Sequence, residues 1–201
     1  MKKVFKKINS CRICNGINLI NIIDLKKQYI QGSFEKGNYP QTVKTKIPLQ
    51  LVICKKCSLV QTKHTVSPDA LYENYWYKSG VNFTMTNHLL KLARESKKIL
   101  KNKNKKLKIL DIGCNDGTLL RSFPKTFIKV GIDPSQIAKK LKSENLTIIN
   151  DFFPSKKILL KHKNNKFDLI TSIAMFYDIQ DPTSFVNNIK NILDENGIWI
   201  F

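Results

Sequence analysis

The chain is 201 residues long, with 42% hydrophobic residues, 11 Phe and a formal charge of +20. That length holds one medium domain, or a small domain plus most of a second, and the apolar content excludes a disordered chain. No run approaches the ~20 apolar residues of a membrane helix. The opening Met1-Lys-Lys-Val-Phe-Lys-Lys-Ile8 lacks the apolar core of a signal peptide, so a cytoplasmic protein without a membrane partner is expected. Only Arg12, Arg94 and Arg121 are arginines. The bidentate forks that grip phosphates are therefore scarce, and a solvated lysine surface is expected rather than a nucleic-acid partner.

Taken in order, the chain first offers Cys11-Arg-Ile-Cys14 and Cys54-Lys-Lys-Cys57, two C-x2-C knuckles separated by 39 residues. Four thiolates in two close pairs suit tetrahedral Zn²⁺, and a closed four-cysteine site is structural. Residues 1–68 are therefore expected to form a small zinc-binding domain with Cys11, Cys14, Cys54 and Cys57 as ligands. Gly32, Gly37 and Pro40 mark turns in the loop between the knuckles. Leu49–Cys54 is predicted as a strand feeding the second knuckle, and 58–62 as its return.

Residues 69–106 are predicted as an aromatic and helical connection. Pro68 opens a helical turn, and Leu71, Tyr72, Tyr75, Trp76 and Tyr77 crowd together, as a staple between modules or as the wall of a pocket. A helix from Phe83 puts Met85, Leu89, Leu92, Ile99 and Leu100 on one side, with His88 as a packing residue near them. The lysine-rich run 97–108 is a solvated connection in which the domain boundary is expected.

From residue 107 strands and helices alternate. Strands are predicted at 107–112, 128–132, 146–150, 167–173 and 197–201, and helices at 117–123, 135–143 and 182–193. Asp181 and Pro182 start the last helix, Phe185, Val186, Ile189, Ile192 and Leu193 share its face, and Asn196-Gly197 stops it. Such alternation specifies an α/β fold: a Rossmann-like parallel sheet, truncated after about five strands and preceded by the zinc-binding domain. A sheet of this kind normally continues, so the chain is expected to be the front part of a longer protein.

Three loops should meet at the carboxyl ends of successive strands, where open α/β sheets bind ligands. The first is Asp111-Ile-Gly113-Cys-Asn115-Asp-Gly117. Its glycines let a ligand approach the backbone, and the following helix offers free N–H groups. Asp133, in Gly131-Ile-Asp-Pro-Ser135, ends the next strand and is placed to accept hydrogen bonds from ribose hydroxyls. Asp151 and Phe152 in the third loop suit the edge and face of an adenine. A dinucleotide fingerprint would carry a glycine where Asn115 stands, because pyrophosphate needs very close backbone approach there. S-adenosylmethionine (SAM) has no phosphate, so the departure favours SAM, and residues 107–201 are expected to form an incomplete SAM-binding Rossmann-like domain.

With these motifs assembled, the whole chain resembles the front half of the SAM-dependent sugar C-methyltransferases that carry an N-terminal zinc-binding domain. Those enzymes methylate nucleotide-linked 4-keto deoxysugars. Besides both knuckles, the resemblance rests on Tyr77-x-Ser79, Thr84-Met-x-x-His88, the Ile112–Leu120 turn, Gly131-Ile-Asp-Pro-Ser135 and Phe167-Asp-Leu-Ile170. It implies a class I methyltransferase fold, a nucleotide-sugar substrate, and methylation of carbon through an enolate that the enzyme stabilises and aligns. Tyr77 falls on a family tyrosine associated with the active site. Asp178 stands where the family has a histidine, as a base or a binder of sugar hydroxyls. The family's Tyr-x-Glu-His cluster would lie beyond Phe201.

Two other readings are carried forward. A basic zinc-ribbon protein would bind nucleic acid with steep salt dependence. A product of these 201 residues alone would bind zinc yet be inactive and aggregation-prone at its open sheet edge.

Overall fold

A computed structural model describes residues 4–30, 46–72, 75–100 and 106–201. The expected turns at Gly32, Gly37 and Pro40, and much of the lysine-rich connection, lie outside them. The chain divides into two compact units, residues 1–75 with 180–183 and residues 76–179 with 184–201.

Short strands dominate the first unit. Strands β1 (Phe5–Lys7), β2 (Leu19–Tyr29), β3 (Lys46–Cys54), β4 (Val60–Thr62) and β5 (His64–Val66) precede a one-turn helix, α1 (Pro68–Tyr72). β2, β3 and β4 form an antiparallel sheet, and β1 pairs with β5. β3 and β4 match the expected strand and its return. The eleven-residue β2 was not expected. Its register against β3 shifts between Asn21 and Ile23 and again between Asp24 and Lys27, which destroys the alternation that marks a strand in sequence.

The second unit opens with the long helix α2 (Phe83–Ile99), capped by the Asn82 side chain on the Met85 amide. Five strands follow: β6 (Lys108–Ile112), β7 (Ile128–Ile132), β8 (Thr147–Ile149), β9 (Phe167–Thr171) and β10 (Leu193–Ile200). Between them run α3 (Thr118–Ser122), α4 (Gln136–Lys139), α5 (Lys156–His162) and α6 (Pro182–Ile192). The sheet is parallel in the order β10-β9-β6-β7-β8. β6 and β9 are buried along their whole lengths, as central strands covered on both faces must be.

Two cores flank this sheet. One gathers Leu89, Ala93, Leu100, Ile109, Leu119, Leu120, Phe123 and Leu169. The other gathers Leu110, Ile112, Val130, Ile158, Phe167, Ile170, Phe185 and Ile189. Each fully buried large side chain contributes about 1.5–3 kcal/mol.

Several local expectations are corrected. Ile99 turns to solvent while Ala93 and Ser96 join Leu89 on the buried side of α2, and His88 is exposed rather than packed. Helix α5 was missed, because a seven-residue element burying only Ile158 and His162 leaves little periodicity. α6 ends at Ile192, and β10 begins at Leu193. Asn196-Gly197 therefore lies in the bulge where β10 shifts register against β9, and does not stop the helix. Val186 is partly exposed, whereas Phe185, Ile189 and Ile192 are buried as expected.

A lysine fits in the buried strand β6 because its amine is hydrogen-bonded. Lys108 Nζ lies 2.7 Å from His162 Nδ1 and donates to the Asn165 carbonyl, while the Lys108 amide donates to Asp168 Oδ2. Burial lowers the amine to about 8 and the His162 imidazole to about 4.

Candidate functional site

In the first unit the two knuckles are built alike. After Cys14, Asn15 turns left-handed (φ 57°) and its amide bonds the Cys11 carbonyl at 3.1 Å. After Cys57, Ser58 does the same (φ 61°), bonding the Cys54 carbonyl at 2.8 Å. These turns fold each pair of thiols back on itself. The four Sγ atoms lie within 4.8 Å of one another, with Cys11–Cys57 at 3.6 Å and Cys14–Cys54 at 3.5 Å. A tetrahedron with Zn–S bonds of ~2.3 Å has S···S edges of roughly 3.8 Å, so the donor set fits zinc.

The thiols are electrostatically prepared for a cation. Burial opposes the thiolate at Cys11, yet the Cys14 and Ile13 amides, Gln61 and Cys57 outweigh it and bring Cys11 to about 6. Gln61 Nε2 donates to Cys11 Sγ at 3.2 Å, and Gln61 Oε1 accepts from Arg12 at 3.1 Å. At Cys57 the Leu59 amide favours the thiolate, but the neighbouring thiols at Cys14, Cys11 and Cys54 push it up to about 12. Crowded like charges of this kind are relieved by a dication among them.

In the second unit the strand order reverses at β6, whose neighbours are β7 on one side and β9 on the other. This is the switch point beyond whose strand ends open α/β sheets bind ligands. Gly113 (φ 76°) and Gly117 (φ 75°) are both left-handed, and Gly117 caps α3. A Cβ at Gly113 would meet Met175 Cγ at 3.3 Å. The Asp133 carboxylate accepts the Asn115 amide at 2.9 Å on Oδ2 and the Ser135 amide at 2.8 Å on Oδ1, which fixes its orientation. Asn150 Nδ2 donates to the Asp133 and Ser135 carbonyls at 2.9 and 3.0 Å and so ties the third loop to the second. Asp151 is exposed, with Oδ1 accepting the Phe152 amide at 2.8 Å, and Phe152 is half-buried.

Asp111 lies beneath the turn, fully buried, and Thr171 Oγ1 donates to its Oδ1 at 2.6 Å. Desolvation raises its carboxyl to about 7, against the Thr171 hydrogen bond and with a smaller push from Asp133. The fold therefore holds this proton more tightly than the unfolded chain, whose carboxyl titrates near 3.8. Stability from this group is complete below about pH 4 and is lost as pH rises through about 7. Asp111→Asn should flatten the pH dependence of stability across that window, by up to ~4 kcal/mol in chemical denaturation. An unchanged slope would show that another group governs it.

The structure also places residues whose role the sequence did not reveal. Asn115, 9% exposed and left-handed (φ 51°), spends its amide on protein atoms. Its Nδ2 donates to the Tyr77 carbonyl at 2.9 Å, and its Oδ1 accepts the Ser79 and Asp116 amides at 3.0 and 2.8 Å. Asn115, a candidate cofactor-binding position of the turn, thus has its side-chain amide bonded to the neighbouring backbone. Asp116 adds a further tie, accepting the Gly80 amide at 2.8 Å. Tyr77, half-buried, is thus fastened through its backbone to the glycine turn. Asp178 is exposed on a single 3-10 turn, Phe176–Asp178. The signal for Asn115 was available only as a non-glycine residue in a glycine position.

With this geometry in view, comparison with known proteins is informative. A family model described as "Methyltransferase domain" matches residues 86–201, and one described as "Putative zinc binding domain" matches residues 11–72. The chain is similar to C-methyltransferase NovU of Streptomyces niveus, 23% identical over 204 residues that cover 99% of this chain and 48% of the relative. It is also similar to the ubiquinone biosynthesis O-methyltransferase of Pasteurella multocida, 32% identical over 108 residues, 47% of this chain and 45% of the relative. Among solved structures, the plantazolicin methyltransferase BpumL in complex with a triazolic desmethylPZN analogue and SAH aligns with a TM-score of 0.46 at 21% identity, over 61% of this chain and 48% of that one. The chain spans about half the length of the curated relatives it matches. Among the described residues no helix is long and apolar enough to cross a membrane.

Proposed function

The chain belongs to the methyltransferase-domain family, and from that premise we propose that it serves a SAM-dependent methyltransferase that alkylates a carbon of a nucleotide-linked keto-deoxysugar. The observation that carries the cofactor reading is the convergence of three loops at the switch point, with Asp133 oriented by two backbone amides beside the Gly113–Gly117 turn. When bound, SAM supplies an electrophilic methyl group for a carbon made acidic by a neighbouring carbonyl.

The chain's own residues would hold it as follows. Asp133 retains free lone pairs on both oxygens, because each accepts one amide, and these suit a ribose diol. Gly113 and Gly117 admit close approach along the turn, where a side chain would be strained by the positive φ. Asp151 and Phe152, on the loop tied down by Asn150, suit an adenine. Tyr77 and Asp178 are the candidates for the acceptor: a phenol to orient the sugar and a carboxylate to take a proton or bind hydroxyls. The sugar-carbon reading is supported by the four-thiolate unit that precedes the methyltransferase domain and by likeness to a C-methyltransferase along nearly the whole chain.

Incubation with methyl-labelled SAM and a nucleotide-linked 4-keto deoxysugar tests it. Label on a ring carbon, located by NMR, is the expected result. Label on oxygen, or SAH binding without transfer to any such sugar, would overturn the substrate assignment while leaving the cofactor reading in place.

A further inference from the structure

We propose that Asn115 is a positioning residue, a latch that couples occupancy of the glycine turn to the placement of the strap bearing Tyr77. The inference rests on the reading above that this turn holds SAM. Nothing in the reading itself requires Asn115 to do more than complete a turn.

The strap is the segment 77–82 that leads into α2. It touches the turn at three hydrogen bonds, all made with its backbone: the Tyr77 carbonyl accepts from Asn115 Nδ2, the Ser79 amide donates to Asn115 Oδ1, and the Gly80 amide donates to Asp116 Oδ2. The approach is close. A Cβ at Gly80 would lie 2.7 Å from Thr118 Oγ1 and 2.9 Å from Asp116 Oδ2, so a larger residue would force the strap and these side chains apart. Asp116 is itself fixed, its Oδ1 accepting the Thr118 hydroxyl at 2.6 Å and the Thr118 amide at 3.2 Å.

On its other side Asn115 is joined to the cofactor machinery. Its amide donates to Asp133 Oδ2, the carboxylate assigned to the ribose, and its left-handed backbone lies between the two left-handed glycines. A ligand that settles on Asp133 and the turn therefore acts on the residue whose side chain bonds the Tyr77 carbonyl and the Ser79 amide. Linkage is reciprocal: if the ligand favours the latched turn, the latched strap favours the ligand. Tyr77 would then be held more firmly when the methyl donor is bound, which aligns acceptor with donor.

Hydrogen–deuterium exchange of the full chain, with and without saturating SAH, reads this directly, because the Ser79 amide is one of the latch bonds. SAH should slow Ser79 exchange by about tenfold or more. Asn115→Gly keeps the left-handed backbone and the amide bond to Asp133 but removes the latch. By the same reciprocity it should bind SAH about tenfold more weakly than wild type, and the ligand-linked slowing at Ser79 should disappear. Gly80→Ala, which pushes the strap away while leaving Asn115 intact, should show the same loss.

A purely structural Asn115 would raise Ser79 exchange equally with and without SAH, and that result overturns the latch. So does SAH binding to wild type with no change at Ser79, although the cofactor reading then stands. Failure of wild type to bind SAH removes both.

Discussion

Stripping the zinc, or replacing one ligand as in Cys54→Ser, should abolish cooperative folding of the thiolate-bearing unit. The reason lies in what else could hold it. Among the described residues, the buried apolar side chains of the first unit are Cys11, Ile30, Val52 and Cys54, and two of these four are ligands. The long strand β2 is exposed from Ile20 to Tyr29. A small domain with so little core needs a staple, and structural zinc contributes roughly 10–16 kcal/mol of apparent binding free energy to comparable folds.

The expected measurements are about one zinc per chain by elemental analysis and, after chelation, loss of amide protection across β2, β3 and β4. Protection of β6, β7 and β9 should persist, because their cores are built from Leu, Ile and Phe and contain no zinc ligand. Full protection of β2 and β3 in metal-free protein would contradict the assignment.

The second large effect is expected at Asp133. Asp133→Ala removes the carboxylate that suits the ribose and leaves the Asn115 and Ser135 amides without their acceptor. Losing a charge-assisted pair of ligand hydrogen bonds together with the turn's own support should weaken SAH binding at least ~100-fold. Asp133→Asn separates the two causes. Its carbonyl oxygen still accepts one amide, so a melting temperature near wild type with weakened SAH binding would place the effect on the ligand. Equal SAH affinity in all three proteins would remove Asp133 from the site.

Much of this was legible in the sequence, for physical reasons specific to certain residues. β6, β7 and β9 are short, mostly apolar runs, and a buried parallel strand looks like that whatever surrounds it. The four cysteines were legible because metal chemistry fixes both residue type and spacing. β2 was not, because two shifts in its register scramble the alternation of its side chains.

Lys108 was equally opaque. A lysine in a buried strand makes sense only once His162 and Asn165, more than fifty residues away in the chain, are seen to receive its amine. The sharpest case is Asn115. By sequence it is a non-glycine residue at a glycine position of the candidate cofactor turn, whereas the structure shows its side-chain amide engaged by a strap whose residues lie 36 and 38 positions earlier. Those partners are backbone atoms, which any sequence supplies, so no pattern of side chains could have announced the contact.

The most direct test of the central claim is calorimetric titration of SAH into the zinc-loaded full chain, alongside Asp133→Ala. The account predicts saturable binding with about one site per chain in the wild type and a loss of at least ~100-fold in the variant. Absence of binding to folded, zinc-loaded wild-type protein would contradict it.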